Sequence, residues 1–217
     1  MDFSEFLQFV PRVSQADSKD YTVERDKILP YRKELFARYP NMHYRPAAVL
    51  ALFYPHNDRT YAVLIERPRY DGVHSGQIAF PGGKKDSSDK DLYATALREA
   101  REEIGIEPAK VRLIRPLTPV KIPVSRFEVS PFWAYTEKRP RFRPHPAEVK
   151  NLLEIPAEDL FFAPWRRENR IYEGKTYPVF YLPAGSRKIW GATAMVIAEM
   201  RDLLHRFLPG HTAETIL

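Results

Sequence analysis

Apolar positions fall into three regimes along the chain. From residue 1 to about residue 44 they recur at helical spacing, with Phe3, Phe6, Leu7 and Val10 on one face and a polar-rich second stretch from Val23 to Tyr39. Pro30 interrupts that stretch, which predicts two helices or one kinked helix. The extension reads as a cap packed on the domain; a dimerisation arm and a substrate lid are the functional alternatives. In the second regime, Ala47 to Tyr54 and Thr60 to Glu66 are β-type runs joined by the turn-rich Pro55-His56-Asn57-Asp58-Arg59, predicting neighbouring antiparallel strands. A shorter run, Gln77-Ile78-Ala79-Phe80, stops at Pro81-Gly82-Gly83, where the backbone must turn in a way that side chains resist.

From Asp89 or Asp91 the period becomes helical and lasts to about Ile104, with Tyr93, Leu97, Ala100 and Ile104 as the apolar stripe. Gly105 supplies the stop, and Pro108 lies just beyond it. Between Val111 and Pro183 stand 11 of the chain's 20 prolines, which predicts short strands and fixed loops. The strand candidates there are Val111 to Leu117 and Val129 to Thr136, followed by a segment from Leu152 to Leu160 that leads into a helix. Ile171 to Leu182 reads as a hairpin around Glu173-Gly174-Lys175, and Ala192 to Phe207 as a final amphipathic helix. No internal repeat or low-complexity tract is present.

Composition narrows the function classes. At 217 residues and 44% apolar content the chain can bury a real core, which excludes a disordered tail. The longest apolar stretch, Ala47 to Tyr54, is too short for a membrane helix. The start, Met1-Asp2-Phe3-Ser4-Glu5, lacks the basic flank and apolar block of a secretory signal, so a cytoplasmic location is expected. A formal charge of +6 suits an anionic small substrate or nucleic acid, but no Arg-rich run or aromatic–basic interleaving promotes RNA. The absence of cysteine excludes disulfides, thiolate metal sites and a cysteine nucleophile. Any metal must then sit on oxygen or imidazole, and His43, His56, His74, His145, His205 and His211 show no metal-type spacing.

The chemistry concentrates in Arg98-Glu99-Ala100-Arg101-Glu102-Glu103-Ile104-Gly105-Ile106. At helical geometry Glu99, Glu102 and Glu103 fall within an arc of about 100°, away from the apolar stripe. Taken alone, that could be a solvated face on which Arg98 pairs with Glu102 one turn on. A Pro-Gly-Gly turn upstream and a helix-ending glycine after the acids point instead to a cation held by carboxylates and a main-chain carbonyl. Such hard oxygen donors suit Mg²⁺ or Mn²⁺, and a site of that kind activates water against phosphorus. Hydrolysis of a phosphoanhydride is the chemistry suggested.

Gly83 through Ile106 resembles the signature of the Nudix hydrolases: a glycine, a spaced acid, then Arg-Glu, an apolar residue, any residue, Glu-Glu, any residue, Gly and an apolar residue. The second half matches at every defined position. In the first half the expected glycine falls on Lys84 and the expected glutamate on Lys90, so the loop is one residue longer, with Gly83 as the glycine and Asp89 nearest the missing acid. Val63-Leu64-Ile65-Glu66-Arg67, Gly76 through Gly83, and Ile189-Trp190-Gly191-Ala192-Thr193-Ala194 are similar to the coenzyme A pyrophosphatase-like branch, although Ile65 and Gly72 depart from its pattern. The resemblance covers roughly residues 46 to 205. It implies an α/β fold, a Nudix-type α/β/α sandwich with a mixed sheet, an N-terminal helical extension (residues 1–44) and a hydrolase domain (residues 45–217) that includes the C-terminal hairpin and helix.

The resemblance also implies roles. Glu99, Glu102 and Glu103 would be the metal ligands with the Gly82 carbonyl, Arg98 would orient them, and Glu148 would position or deprotonate the attacking water. Arg67, Arg69, Lys84, Lys85 and Lys121 are candidate phosphate partners, with Arg67 and Lys84, next to the turn, ahead of the others. Tyr70, Phe127, Phe132 and Trp133 could stack an adenine or belong to the core, and Trp190 would dock the last helix. The implied cofactor is Mg²⁺ or Mn²⁺. The implied substrate is coenzyme A or an acyl derivative, cut into 3′-phosphoadenosine 5′-phosphate and a 4′-phosphopantetheine product. The alternatives are ADP-ribose, another nucleoside diphosphate derivative or a capped RNA end, and, in another class, a ligand-binding module without catalysis. A small-molecule nucleotide diphosphate is therefore the expected partner, with a homodimer open and neither membrane nor nucleic acid expected.

Overall fold

The computed structural model describes residues 1–17 and 22–208; His211 and the end of the expected hydrolase domain lie outside them. In chain order the elements are α1 (Phe3–Gln15), α2 (Thr22–Ile28), α3 (Arg32–Arg38), β1 (Arg45–His56), β2 (Arg59–Glu66), β3 (Ile78–Ala79), β4 (Gly82–Lys84), α4 (Leu92–Ile104), β5 (Arg112–Pro116), β6 (Val120–Ile122), β7 (Phe127–Tyr135), β8 (Asn151–Pro156), α5 (Ala157–Phe161), β9 (Arg166–Tyr172), β10 (Lys175–Ala184), β11 (Arg187–Ile189) and α6 (Gly191–His205). Among the described residues no helix is long and apolar enough to cross a membrane.

The long strand β1 is the spine. It pairs in parallel with β7, from Arg45 opposite Phe127 to Phe53 opposite Tyr135. On its other edge, β4 pairs antiparallel with the start of β1 and β2 with its end. β8 and β3 extend the sheet from β2, while β5 and β6 both pair with β7, giving a mixed sheet. Because β1 is covered on both faces, its apolar run is nearly continuous. Leu50, Leu52 and Tyr54 pack with Ala96, Ala100 and Ile104 of α4. Ala51 and Phe53 pack on the opposite face with Trp133, Phe161 and the buried side of α6. The result is an α/β/α sandwich, flanked by a small antiparallel sheet of β9, β10 and β11.

The N-terminal helices sit on this body. α1 opens with a capping box in which Asp2 Oδ1 accepts from the Glu5 N–H at 2.8 Å and Glu5 Oε2 accepts from the Asp2 N–H at 2.9 Å. Its Phe6 stacks on Phe53 with ring centroids 5.4 Å apart, and Phe6 and Val13 are both buried. Pro30 lies in the turn between α2 and α3, so the second stretch is two helices.

The hairpin turn falls where expected, with Glu173 and Gly174 both at positive φ (50° and 75°), as a two-residue loop matched to strand twist requires. Its first strand starts earlier than the apolar pattern indicates, at Arg166, because Arg166 to Arg170 are paired with β10 rather than buried on one face. The three-residue strands β6 and β11 lack enough residues to set a period. Leu152 to Leu160 resolves into strand β8 and then helix α5.

Glu66, at the end of β2, ties three elements together. It accepts from Asn151 Nδ2 and from Arg187 Nε, each at 2.7 Å, and pairs with Lys150 at 3.3 Å. The Asn151 hydrogen bond, with Arg187 and Lys150 behind it and burial opposing, holds its carboxyl down from 4.5 to about 2. A depressed carboxyl contributes stability that is complete above its unfolded value and fades as the pH falls through its folded value. Acid titration of unfolding free energy should therefore show a loss between about pH 4.5 and about pH 2 that Glu66→Gln reduces; an identical acid limb in the variant would refute this. Phe6→Ala should cost about 3 to 5 kcal/mol in denaturant unfolding, since it empties a stacked core position. A cost below about 0.5 kcal/mol would mean that α1 is not part of the cooperative core.

Candidate active site

Helix α4 is fixed at both ends. The Asp91 side chain accepts from the Ala94 N–H at 2.7 Å, and Gly105 ends the helix in the left-handed region at φ 72°. The three glutamates differ in exposure. Glu103 is 2% exposed and its Oε2 accepts from the Gly82 N–H at 2.7 Å, while Glu99 is largely covered and Glu102 is half exposed. The stripe is rotated accordingly: Ala96, Ala100, Glu103 and Ile104 are buried, whereas Tyr93 and Leu97 are only partly so. Among the described residues no three acidic or histidine side chains are already arranged as a cation site. Like charges at this spacing repel; Glu99 and Glu102 share Arg98 Nη1, while Glu103 turns to the Gly82 N–H.

The Pro-Gly-Gly turn explains how α4 comes so near the sheet. Gly82 has φ 151°, and a Cβ there would lie 2.2 Å from the Ala48 carbonyl oxygen. A Cβ on Gly83 would lie 2.4 Å from Glu99 Oε2. Gly82 must therefore be bare, whereas a side chain at Gly83 would require the Glu99 carboxylate to move. The Gly82 carbonyl, expected as a metal donor, accepts from Arg67 Nη2 at 3.0 Å.

Arg98 organises the acids. Its Nε and Nη2 donate to the two oxygens of Asp89 at 2.9 and 3.0 Å, a bidentate pair. It also donates to Glu102 at 2.8 Å and to the Lys84 carbonyl at 3.0 Å, and it pairs with Glu99 at 2.9 Å. Asp89, in the lengthened loop, is buried and further accepts from the Asp86 N–H and the Thr95 hydroxyl at 2.9 Å each. Hydrogen bonds from Arg98 hold its carboxyl far below the usual range, against the opposing effect of burial. The loop acid thus anchors Arg98, a connection that sequence spacing signalled only as a displaced acid.

Burial has the opposite effect behind the bend. It raises the Glu99 carboxyl despite Arg98, and it pushes Glu103 up to about 7 despite Arg67 and the Gly82 N–H. Glu148, half exposed on the loop after β7, adds its negative charge to both. That loop is held to the end of α4 by hydrogen bonds from the Arg143 and His145 N–H groups to the Ile104 and Glu103 carbonyls, at 2.9 and 2.8 Å. Desolvated carboxylates short of positive charge, beside a main-chain carbonyl, are a donor set that fits a hard divalent cation.

In front of the bend lies a cavity of about 620 Å³. Its cationic lining comes from Arg45, Arg67, Lys84 and Arg126, with no acid among the lining residues. Tyr70 and Phe127 supply aromatic faces, whereas Phe132 and Trp133 are buried in the two cores. Lys121 is not among the residues lining this cavity: it pairs with Glu128 at 3.8 Å and stands over the Tyr44 ring. Trp190 is the residue before α6, and its ring stacks under the Arg170 guanidinium at 3.8 Å.

Known proteins share this pattern. The sequence profile of the NUDIX domain matches residues 43–175. The uncharacterized Nudix hydrolase NudL of Pectobacterium atrosepticum is 35% identical over 161 residues, covering 72% of this chain and 81% of that protein. Nudix hydrolase 15, mitochondrial, of Arabidopsis thaliana is 32% identical over 172 residues, which is 76% of this chain and 60% of the plant protein. A NUDIX hydrolase structure from Alicyclobacillus acidocaldarius is 24% identical, covers 56% of this chain and 82% of its own, and superimposes with a TM-score of 0.45. With the domain match spanning more than half its length and this signature around α4, the chain belongs to the Nudix hydrolases, enzymes that break phosphoanhydride bonds with the help of divalent cations.

Proposed function

We propose that this enzyme hydrolyses the diphosphate of coenzyme A or an acyl-coenzyme A, giving 3′-phosphoadenosine 5′-phosphate and 4′-phosphopantetheine or its acyl form. The observation that carries the reading is the cavity itself: a space with cationic, aromatic, polar and apolar walls across the glycine bend from buried carboxylates. A nucleotide diphosphate with a long, weakly polar arm has that distribution of charge. Tyr70 and Phe127 offer stacking faces for the base, and Arg67 and Lys84 offer charge to the diphosphate.

Mg²⁺ or Mn²⁺, held by Glu99, Glu102, Glu103 and the Gly82 carbonyl, would polarise a phosphoryl oxygen and acidify water when bound. Arg98 keeps Glu99 and Glu102 on the side of the helix that faces the bend, anchored in turn by Asp89. Glu148 takes the proton as the water oxygen bonds to one phosphorus. The bond from that phosphorus to the bridging oxygen breaks, and the second phosphate leaves with the electron pair. Arg67 and Lys84 offset the charge that builds on the leaving oxygens.

Incubation of the protein with coenzyme A, ADP-ribose and capped RNA, with and without Mg²⁺, should yield metal-dependent adenylate and phosphopantetheine products identified by mass. Faster turnover of either other substrate would overturn the coenzyme A assignment, and tight binding of one without turnover would favour the ligand-binding module. Glu103→Gln keeps an oxygen for the Gly82 N–H but removes the charge, so turnover should fall about 10- to 100-fold while the melting temperature holds. Unchanged turnover in folded protein would remove Glu103 from the reaction.

A further inference from the structure

A second, smaller cavity of about 80 Å³ adjoins the first, and the two share His74, Gln77, Ile122 and Val124 as walls. The inner walls are apolar and come from three separate parts of the fold: Leu29 and Leu35 of the N-terminal extension, Val120 of β6 and Met195 of α6. Leu35, Val120 and Met195 are all but fully buried, so these walls are set by packing. Of the cations beside them, Lys121 is engaged elsewhere and Arg32 in part, its buried Nε having no hydrogen-bond partner among the described residues. Arg32 pairs with Asp26 at 3.5 Å and lies over the Phe36 ring, and Lys121 pairs with Glu128.

The shared wall is polar. His74 holds a left-handed backbone at φ 72°, and its Nδ1 lies 2.9 Å from Gln77 Oε1. From Arg67 and Lys84 inward, the route therefore runs from cationic, through hydrogen-bonding, to apolar. A sugar led along it would bury hydroxyls against Leu35 and Met195 without partners, at considerable cost. A diphosphate joined by an amide-bearing arm to an acyl chain meets a matching wall at each stage.

We propose that the N-terminal extension, through Leu35 of α3, closes the inner end of the substrate cavity and sets the length of acyl chain that the diphosphate substrate carries. This rests on the coenzyme A reading above and gives the extension a part in specificity. The test is steady-state kinetics of the full-length protein on coenzyme A and its acetyl, butanoyl, hexanoyl and decanoyl thioesters. Wild type should favour a short chain over both the unacylated and the decanoyl forms. Leu35→Trp, which fills the inner end, should raise KM for the favoured thioester about tenfold while unacylated coenzyme A changes less than about twofold. Leu35→Ala should move the optimum to a longer chain, and it decides the matter if the Trp variant fails to fold.

An equal loss on acylated and unacylated substrate, or a wild-type series flat with chain length, would overturn this inference while leaving the coenzyme A assignment standing. Failure of wild type to turn over any of the five, with ADP-ribose hydrolysed, would overturn that assignment and this inference with it.

Discussion

Two residues without side chains set how closely β4 approaches its neighbours, β1 on one side and the Glu99 carboxylate of α4 on the other. At Gly82 a Cβ would strike the β1 backbone, and at Gly83 it would strike the Glu99 carboxylate. A side chain at Gly82 would push β4 off β1, and one at Gly83 would displace the Glu99 carboxylate from its place behind the bend. The closeness of β4 to α4 lets Glu103 reach the Gly82 N–H and places Glu99 directly behind the bend. The remaining site geometry, including the Arg67 contact to the Gly82 carbonyl, is built outward from this approach.

The bend also separates charge. Behind it, Arg98 contacts three carboxylates, and a fourth, Glu103, is buried with one main-chain donor. In front, the cavity is lined by cations with no acid. A hydrolase for linked phosphates needs both halves: negative charge to hold a divalent cation and positive charge to hold the substrate anion. Coulomb attraction between them is strongest where water is thinnest, which is where the desolvated Glu99 and Glu103 sit.

Much of this was legible in the chain, for identifiable reasons. β1 and β2 carry near-continuous apolar runs ending at turn residues, and α4 carries a helical period between Asp91 and Gly105, so pattern and stop signals agree. Glu99, Glu102 and Glu103 stood out by spacing, but a helical wheel treats the helix as isolated. It could not tell that packing on β1 and β4 would bury Glu103 and leave Glu102 half in water. Contacts between distant residues were beyond its reach: Arg67 on Gly82, Glu66 on Arg187, and Arg25 donating to the Thr118 and Pro119 carbonyls at 2.7 Å each. The displacement of Lys121 is of the same kind, because β6 is too short for its facing to be read from a period.

The seat of α1 has a bearing on the order in which the chain assembles. Phe6 touches Phe53, its neighbour in the core Trp133 lies near the middle of the chain, and Phe161 and Leu204 complete the same cluster from further on. β1 itself waits for β7, a partner some eighty positions downstream. Loops of that span close late and slowly. During synthesis α1 therefore waits for partners made long after it, and its aromatic face stays uncovered until they arrive.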